Sequence, residues 1–327
     1  SGCQNITFLF SYFEFRFDVY SSLYRLLAFF FNSPRELNAE IKWIMDKQSS
    51  KLLPDGFAAF ENQVAGHNLK DGRSPTGILK SADGFVLKPV TKHPQSETEI
   101  AFYENIFIKN EYACFRPFVP EFKGTTVLNI LGLDITFLKL QDITKGYVKP
   151  CVMDVKIGSQ TWDPNATESK RKTEDEKYQL SKKEFGFCIP GYQVYNLSSG
   201  SFNRMGKEQG RMLDKITLPL ALKGFLNVNF HQSAFLIERF LQRLNAILDM
   251  WKTQKEVHIY SSSLLFAYDA HQLELFKTES SGVTPCWMNI MMIDFAHVVP
   301  ACNTLDMNYI SGLTNLIKLL QEIKSGK

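Results

Sequence analysis

Between Ser233 and Lys255 the apolar residues Leu236, Phe240, Leu244, Ile247, Leu248 and Trp251 recur at helical spacing, which predicts a long amphipathic helix with one buried face. A second stripe of this kind, Ile310, Leu313, Leu316, Ile317 and Leu320, predicts a last helix from Met307 to Ile323. Elsewhere the apolar runs are short and strand-like. Thr76 to Leu79 and Phe85 to Val90 flank Ala82-Asp83-Gly84, whose Asp-Gly pair supplies a hairpin turn and so places Lys88 on a strand. Ser96-Glu97-Thr98-Glu99 reads as a capping box opening a helix through Phe102, Tyr103, Ile106 and Phe107. Further strands are expected at Leu133 to Leu140, Val152 to Ile157, Val257 to Tyr268 and Asn289 to Phe295, the last two joined by a polar surface loop containing Ser280, Ser281 and Gly282. Asp163 to Ser181 is too densely charged for a core and predicts an exposed loop or helix.

Helices and strands mixed in this way predict an α/β (α+β) protein, and 327 residues favour two compact parts over one. Residues 57–140 form the smaller lobe and 150–327 the larger. Between them, 141–149 is a hinge, polar from Gln141 to Tyr147 and containing Gly146. Residues 1–56 read as an N-terminal extension, disordered or foreign to the fold. Its Phe-, Tyr- and Leu-rich stretch from Ile6 to Phe31 is interrupted by Glu14, Arg16, Asp18 and Arg25, so no transmembrane segment is expected. A hydrophobic content of 44% and a charged content of 22% exclude a mainly disordered chain. The net charge of +3 is too small for bulk nucleic-acid binding, so an anion site must come from local clusters of Lys and Arg. The six cysteines show no CxxC pair, and neither disulfides nor structural zinc is expected.

Phosphoryl transfer requires metal ligands, a cation on the nucleotide phosphates and a group that orients the attacking hydroxyl. In Pro150-Cys151-Val152-Met153-Asp154-Val155-Lys156-Ile157-Gly158, the period of a strand puts Asp154 and Lys156 on one face. Asp154 could then accept the proton of a hydroxyl nucleophile while Lys156 stabilises charge on the transferring group. By geometry alone, an Asp-x-Lys pair on a strand is ordinarily a solvated surface couple.

The nine-residue string fits PxxxDxKxG, and with it stand Gln63-Val64-Ala65-Gly66-His67, Tyr260-Ser261-Ser262-Ser263-Leu264-Leu265 and Ile293-Asp294-Phe295-Ala296-His297. On these motifs the chain resembles the inositol polyphosphate kinase family from about Gln63 to Ile323. Cys151 to Ile157 followed by Trp162-Asp163-Pro164 is most similar to its multikinase branch. The resemblance implies a two-lobed fold like those of protein kinases and ATP-grasp enzymes, with ATP and Mg2+ as cofactors. It implies Asp154 and Lys156 as catalytic residues, Lys88 on the nucleotide phosphates with Glu99 as its helix partner, and Asp142 on the ribose. Val86, Leu138 and Ile293 would cover the adenine. Asp294 would hold magnesium, with Ser263 nearby. Lys170, Lys177 and Lys207 would contact substrate phosphates, with Arg171 and Lys172 enlarging the patch and His297 touching substrate.

The departures are Gln193, where many relatives carry a basic residue, and Thr173-Glu174, where some multikinases present glutamines. The expected function is transfer of the ATP γ-phosphate to hydroxyls of inositol tris- and tetrakisphosphates by a monomer of nucleus and cytoplasm, without nucleic acid as partner. The alternatives are inositol hexakisphosphate or a phosphoinositide headgroup as acceptor, a silent scaffold that keeps the fold, and a nucleic-acid binder resting on the 169–177 cluster.

Overall fold

The computed structural model describes residues 53–64, 77–90, 94–130, 133–276 and 286–326. The expectations for residues 1–52, Ala65-Gly66-His67, Thr76 and Ser280 to Gly282 lie outside the described residues. The chain divides into two compact units, residues 1–55 with 128–134, and residues 56–127 with 135–327. The first is described only at 53–55, 128–130 and 133–134. The second contains every residue of the candidate site.

One five-stranded sheet has the order β1-β2-β3-β5-β4, formed by β1 (Phe57–Ala59), β2 (Leu79–Ser81), β3 (Phe85–Pro89), β4 (Phe122–Ile130) and β5 (Leu133–Gln141). The expected hairpin is present, with Gly84 at φ +87 in its turn, a backbone state that favours glycine. Its first strand starts at Leu79, which pairs with Leu87. Val86 faces Leu140 and Lys88 faces Leu138, so these four side chains share one side of the sheet. Helix α1 (Gln95–Ile108) follows and buries Phe102, Tyr103 and Ile106. Its N-cap is Pro94, with no side-chain cap, so the capping box is not formed. Proline presets the helical φ ahead of the Ser-x-x-Glu pattern, which frees Glu99 for a partner outside the helix. A 3₁₀ segment, Asn110–Phe118, then buries Phe115 and Phe118.

The second sheet has the order β11-β10-β6-β7-β8, from β6 (Pro150–Ile157), β7 (Phe187–Asn196), β8 (Ser201–Met205), β10 (Ser263–Asp269) and β11 (Met288–Ile293). β6 is the middle strand and is buried along almost its whole length. Helices α2 (Glu168–Glu176) and α3 (Gln179–Phe185) occupy the charged segment between β6 and β7. α4 (Lys207–Arg211) and α5 (Thr217–Phe225) follow β8, and α6 (Ser233–Trp251) is the long predicted helix. All six residues of its apolar stripe are buried. α6 packs on β11 and on the last helix, α8 (Met307–Lys324), which also covers β6 and β7. Trp251 stacks on Tyr309 at 4.2 Å between ring centroids.

The single strand expected from Val257 to Tyr268 is two. β9 (Val257–Ile259) pairs with β12 (Val298–Pro300) in a separate small sheet, and β10 begins only at Ser263. The chain breaks at Ser261, whose φ of +58 no strand accommodates. A short helix α7 (Ala270–Leu275) ends β10. No helix among the described residues is long and apolar enough to cross a membrane.

Gly191 on β7 lies directly opposite Asp154 on β6. A Cβ there would meet the carbonyl oxygens of Val64 and Met205, the latter at 2.9 Å, so the segment ending at Val64 approaches the sheet only because this residue has no side chain. Gly191→Ala is therefore expected to destabilise by about 1–3 kcal/mol in urea unfolding. Gly224→Ala on α5, where nothing lies within 4 Å, should be neutral or stabilise by up to about 1 kcal/mol.

Candidate active site

Lys88 projects from β3 and is held by two carboxylates. Its Nζ donates to both oxygens of Glu99, at 2.7 and 2.9 Å, and to Oδ1 of Asp294 at 2.5 Å. Glu99, nearly buried on α1, also accepts the Phe295 backbone N–H at 3.2 Å. Burial alone would favour loss of the Lys88 proton, but the charges of Asp294 and Glu99 outweigh it and raise the pKa above the ordinary lysine value. Asp294 follows β11 with φ +64, a left-handed conformation that a non-glycine residue adopts at some energetic cost. That turn directs its carboxylate toward Lys88.

The strand register assembles the rest. Lys156 on β6 is opposite Ser263 on β10, which is opposite Ile293 on β11. With adjacent strands about 4.8 Å apart, the backbone positions of Lys156 and Ile293 are separated by roughly 10 Å. Asp154 is almost fully buried, and its Oδ1 accepts no hydrogen bond. The same holds for the Oγ of fully buried Ser263, although that hydroxyl is near enough to favour the charged form of Asp154. Burial, followed by the negative charge of Asp294, pushes the Asp154 carboxyl up to about 6, with Lys156 pulling the other way. The two carboxylates and Lys156 thus lie within electrostatic reach of one another. In the pairing with β7 the register shifts between Asp154 and Lys156, where three steps of β7 oppose two of β6, whereas the pairing with β10 is continuous, so the two residues keep the common face expected of them.

Lys156 donates to the Ser261 hydroxyl at 2.7 Å. Sequence reasoning overlooked Ser261 as a positioning residue, and the signal was the serine run that interrupts an apolar strand pattern. Asp142 is buried at the end of β5, where its Oδ1 accepts from the Thr144 backbone at 2.8 Å and hydroxyl at 2.7 Å. Its Oδ2 is buried without a hydrogen bond. Thr144 in turn accepts from Asn62, and Asn62 accepts from buried Gln193, which also donates to the Pro150 carbonyl. Gln193 thus ties the connector to β6 and does not extend the cationic patch. Val86 and Ile293 are half-buried, whereas Leu138 is sealed in the core.

The basic cluster divides by role. Lys170 and Lys177 both donate to Oε1 of Glu174, each at 2.8 Å. Arg171 is structural: it donates to the carbonyls of Ala166 and Pro164 and stacks 4.7 Å from the Trp162 ring centroid. Trp162 donates to Asp175 at 2.8 Å, and buried Lys182 donates to the Glu174 carbonyl at 2.5 Å, so α2 is fastened on several sides. Lys172 is exposed. Lys207 opens α4, on a different element from the Lys170 and Lys177 pair. His297 pairs through Nδ1 with Asp163 at 2.7 Å, which joins the loop before α2 to the segment after Asp294.

Among the described residues no group of three or more His, Cys, Asp or Glu side chains could hold a metal by itself. Asp294, just beyond β11, offers a carboxylate to a hard cation that takes its remaining ligands from water and phosphate oxygens.

A family model described as inositol polyphosphate kinase matches residues 137–321. The inositol polyphosphate multikinase of Homo sapiens is 32% identical over 222 residues, covering 66% of this chain and 52% of that protein. The multikinase beta of Arabidopsis thaliana is 29% identical over 281 residues, covering 80% of this chain and 92% of its own length. The chain spans about half the length of the human and mouse multikinases it matches. Among solved structures, the inositol phosphate multikinase of S. cerevisiae in complex with ADP and Mn2+ aligns with a TM-score of 0.58 at 24% identity, covering 73% of this chain and 98% of that one, a likeness of fold.

The folded-state pKa of Asp154 lies above the value of about 3.9 expected in the unfolded chain, so the fold favours the neutral carboxyl. That contribution is fully present below about pH 4 and is lost as the pH rises through about 6. In chelator, Asp154→Asn should therefore gain stability over wild type between about pH 4 and pH 7, on the order of 1–3 kcal/mol. Urea unfolding across that range tests this, and a difference independent of pH would contradict the assignment.

Proposed function

We propose, since this chain belongs to the inositol polyphosphate kinase family, that it is an ATP-dependent kinase transferring the γ-phosphoryl group to hydroxyls of inositol tris- and tetrakisphosphates, with magnesium as the working ion. The observation that carries this reading is the Lys88 ammonium held between Glu99 and Asp294, beside the register that aligns Lys156, Ser263 and Ile293. The arrangement of two sheets supports taking 57–140 and 150–327 as lobes joined through 141–149.

The residues fit the groups the reading requires. Asp154 Oδ1 and Ser263 Oγ are buried polar atoms without hydrogen bonds, an expensive state unless a further partner is accommodated. Asp294 would hold the metal with Ser263 nearby, and Lys88 would meet the nucleotide phosphates. When bound, the divalent ion supplies neutralisation of the phosphate charge. Lys88, kept charged by its two carboxylates, would meet a phosphate oxygen by exchanging its bond to Asp294. Asp154, with its carboxyl at about 6, is ionised near neutrality yet basic enough to accept the proton of an acceptor hydroxyl. Lys156, steadied by Ser261, offers a fixed cation to charge developing on the transferring group. Fixed positions and fixed charges do most of the work in this reaction class. Manganese in the yeast multikinase complex and hexakisphosphate kinases among the relatives, such as one of mouse at 33% identity, define the ions and acceptors to compare.

Incubation with magnesium-ATP and a panel of inositol tris-, tetrakis- and hexakisphosphates, with a phosphoinositide in vesicles, should yield products mainly from the tris- and tetrakisphosphates. Asp154→Asn and Asp294→Asn should each lower kcat by about 100-fold or more. Wild-type turnover in both variants, or no product from any acceptor, would refute the reading.

A further inference from the structure

We propose that Glu174 is a resident counter-anion in the phosphate subsite of Lys170 and Lys177, and that it sets how strongly the subsite prefers a dianionic phosphomonoester over singly charged groups. The inference rests on the kinase reading above and adds a specificity-determining residue to it.

Ion pairs three or four residues apart on a helix are common and individually weak. This one is unusual in that a single carboxylate oxygen serves both ammonium groups, each at 2.8 Å. Exposure is also divided unevenly: the Glu174 side chain is 13% exposed, against 50% for Lys170 and 37% for Lys177. The carboxylate therefore sits beneath two outward cations. Burial opposes its ionisation, but hydrogen bonds from the two lysines prevail and hold the carboxyl at about 2, so it is negative at any working pH.

Glu174 cannot readily retreat. Lys182 holds its carbonyl, Asp175 is bound by Trp162, and Arg171 anchors the same helix to the preceding loop. The lysines are the adjustable partners. A phosphate arriving at them either shares them with the carboxylate and meets its repulsion, or draws them away and leaves a half-enclosed anion without its cations. A phosphomonoester, at −1.5 to about −2 near neutrality, outcompetes the single charge of Glu174. A phosphodiester or carboxylate, carrying one charge, has no such advantage. A neutral glutamine at this position would impose no competition.

The test is calorimetric titration of the full chain with inositol trisphosphate, and in parallel hexakisphosphate, without ATP. Glu174→Gln should bind about 2- to 10-fold more tightly than wild type. Glu174→Asp, which keeps the charge, should show no gain. Adding Lys170→Ala or Lys177→Ala to Glu174→Gln should erase the gain, revealing coupling through a double-mutant cycle. Unchanged or weaker binding by a Glu174→Gln protein with wild-type melting temperature overturns the proposal and leaves the kinase reading intact. An equal gain in Glu174→Asp overturns it as well. Failure of wild type to bind any inositol phosphate overturns both.

Discussion

One ammonium group, Lys88 Nζ, is shared between a carboxylate on α1 and a carboxylate just beyond β11, and the positions of both sheets depend on it. An enclosed charge is tolerated only where opposite charges and hydrogen bonds replace the lost water. Glu99 satisfies that condition from one side and Asp294 from the other. Removing either acid would leave the cation partly uncompensated, and removing the lysine would set two acids against each other. The interaction accordingly ties β3 and α1 to the end of β11. It also explains why Asp294 occupies a strained backbone conformation that regular strand geometry would not supply.

Around this point the protein separates rigid from adjustable parts. Asp154, Lys156 and Ser263 stand on adjacent strands whose register is set by continuous antiparallel pairing. The basic segment is built differently, from a loop and a short helix fastened by Trp162, Arg171, Lys182 and the Asp163 to His297 pair. Side chains on this second element reach outward on long flexible stems, so small changes in charge alter what they hold without disturbing the sheet.

Much of the architecture could be read from local patterns. The stripes on α6 and α8 are long enough for helical periodicity to be unambiguous, and the Asp-Gly turn places Lys88 correctly. Where the reading failed, a nonlocal constraint prevailed. The Ser-x-x-Glu pattern suggested a cap, yet Pro94 begins the helix and Glu99 turns to a lysine on another element. Val257 to Tyr268 looked continuous because apolar residues flank its serine run on both sides, and the left-handed Ser261 divides it between two sheets. β4 alternates regularly, but Gly124 and its threonines masked the period. The motif positions of Asp154, Lys156 and Asp294 were legible, whereas the partners of Ser261, Gln193 and Glu174 were not, since each is defined by contacts across folded elements.

The central place of β6 has a further consequence. Paired on both edges and covered by α8, it belongs to the part of the molecule whose amides should exchange with solvent only on global opening. Sequence change that the fold tolerates is then directed to the periphery. Substitutions on the outer helices can accumulate while the strand that carries the PxxxDxKxG string stays unaltered.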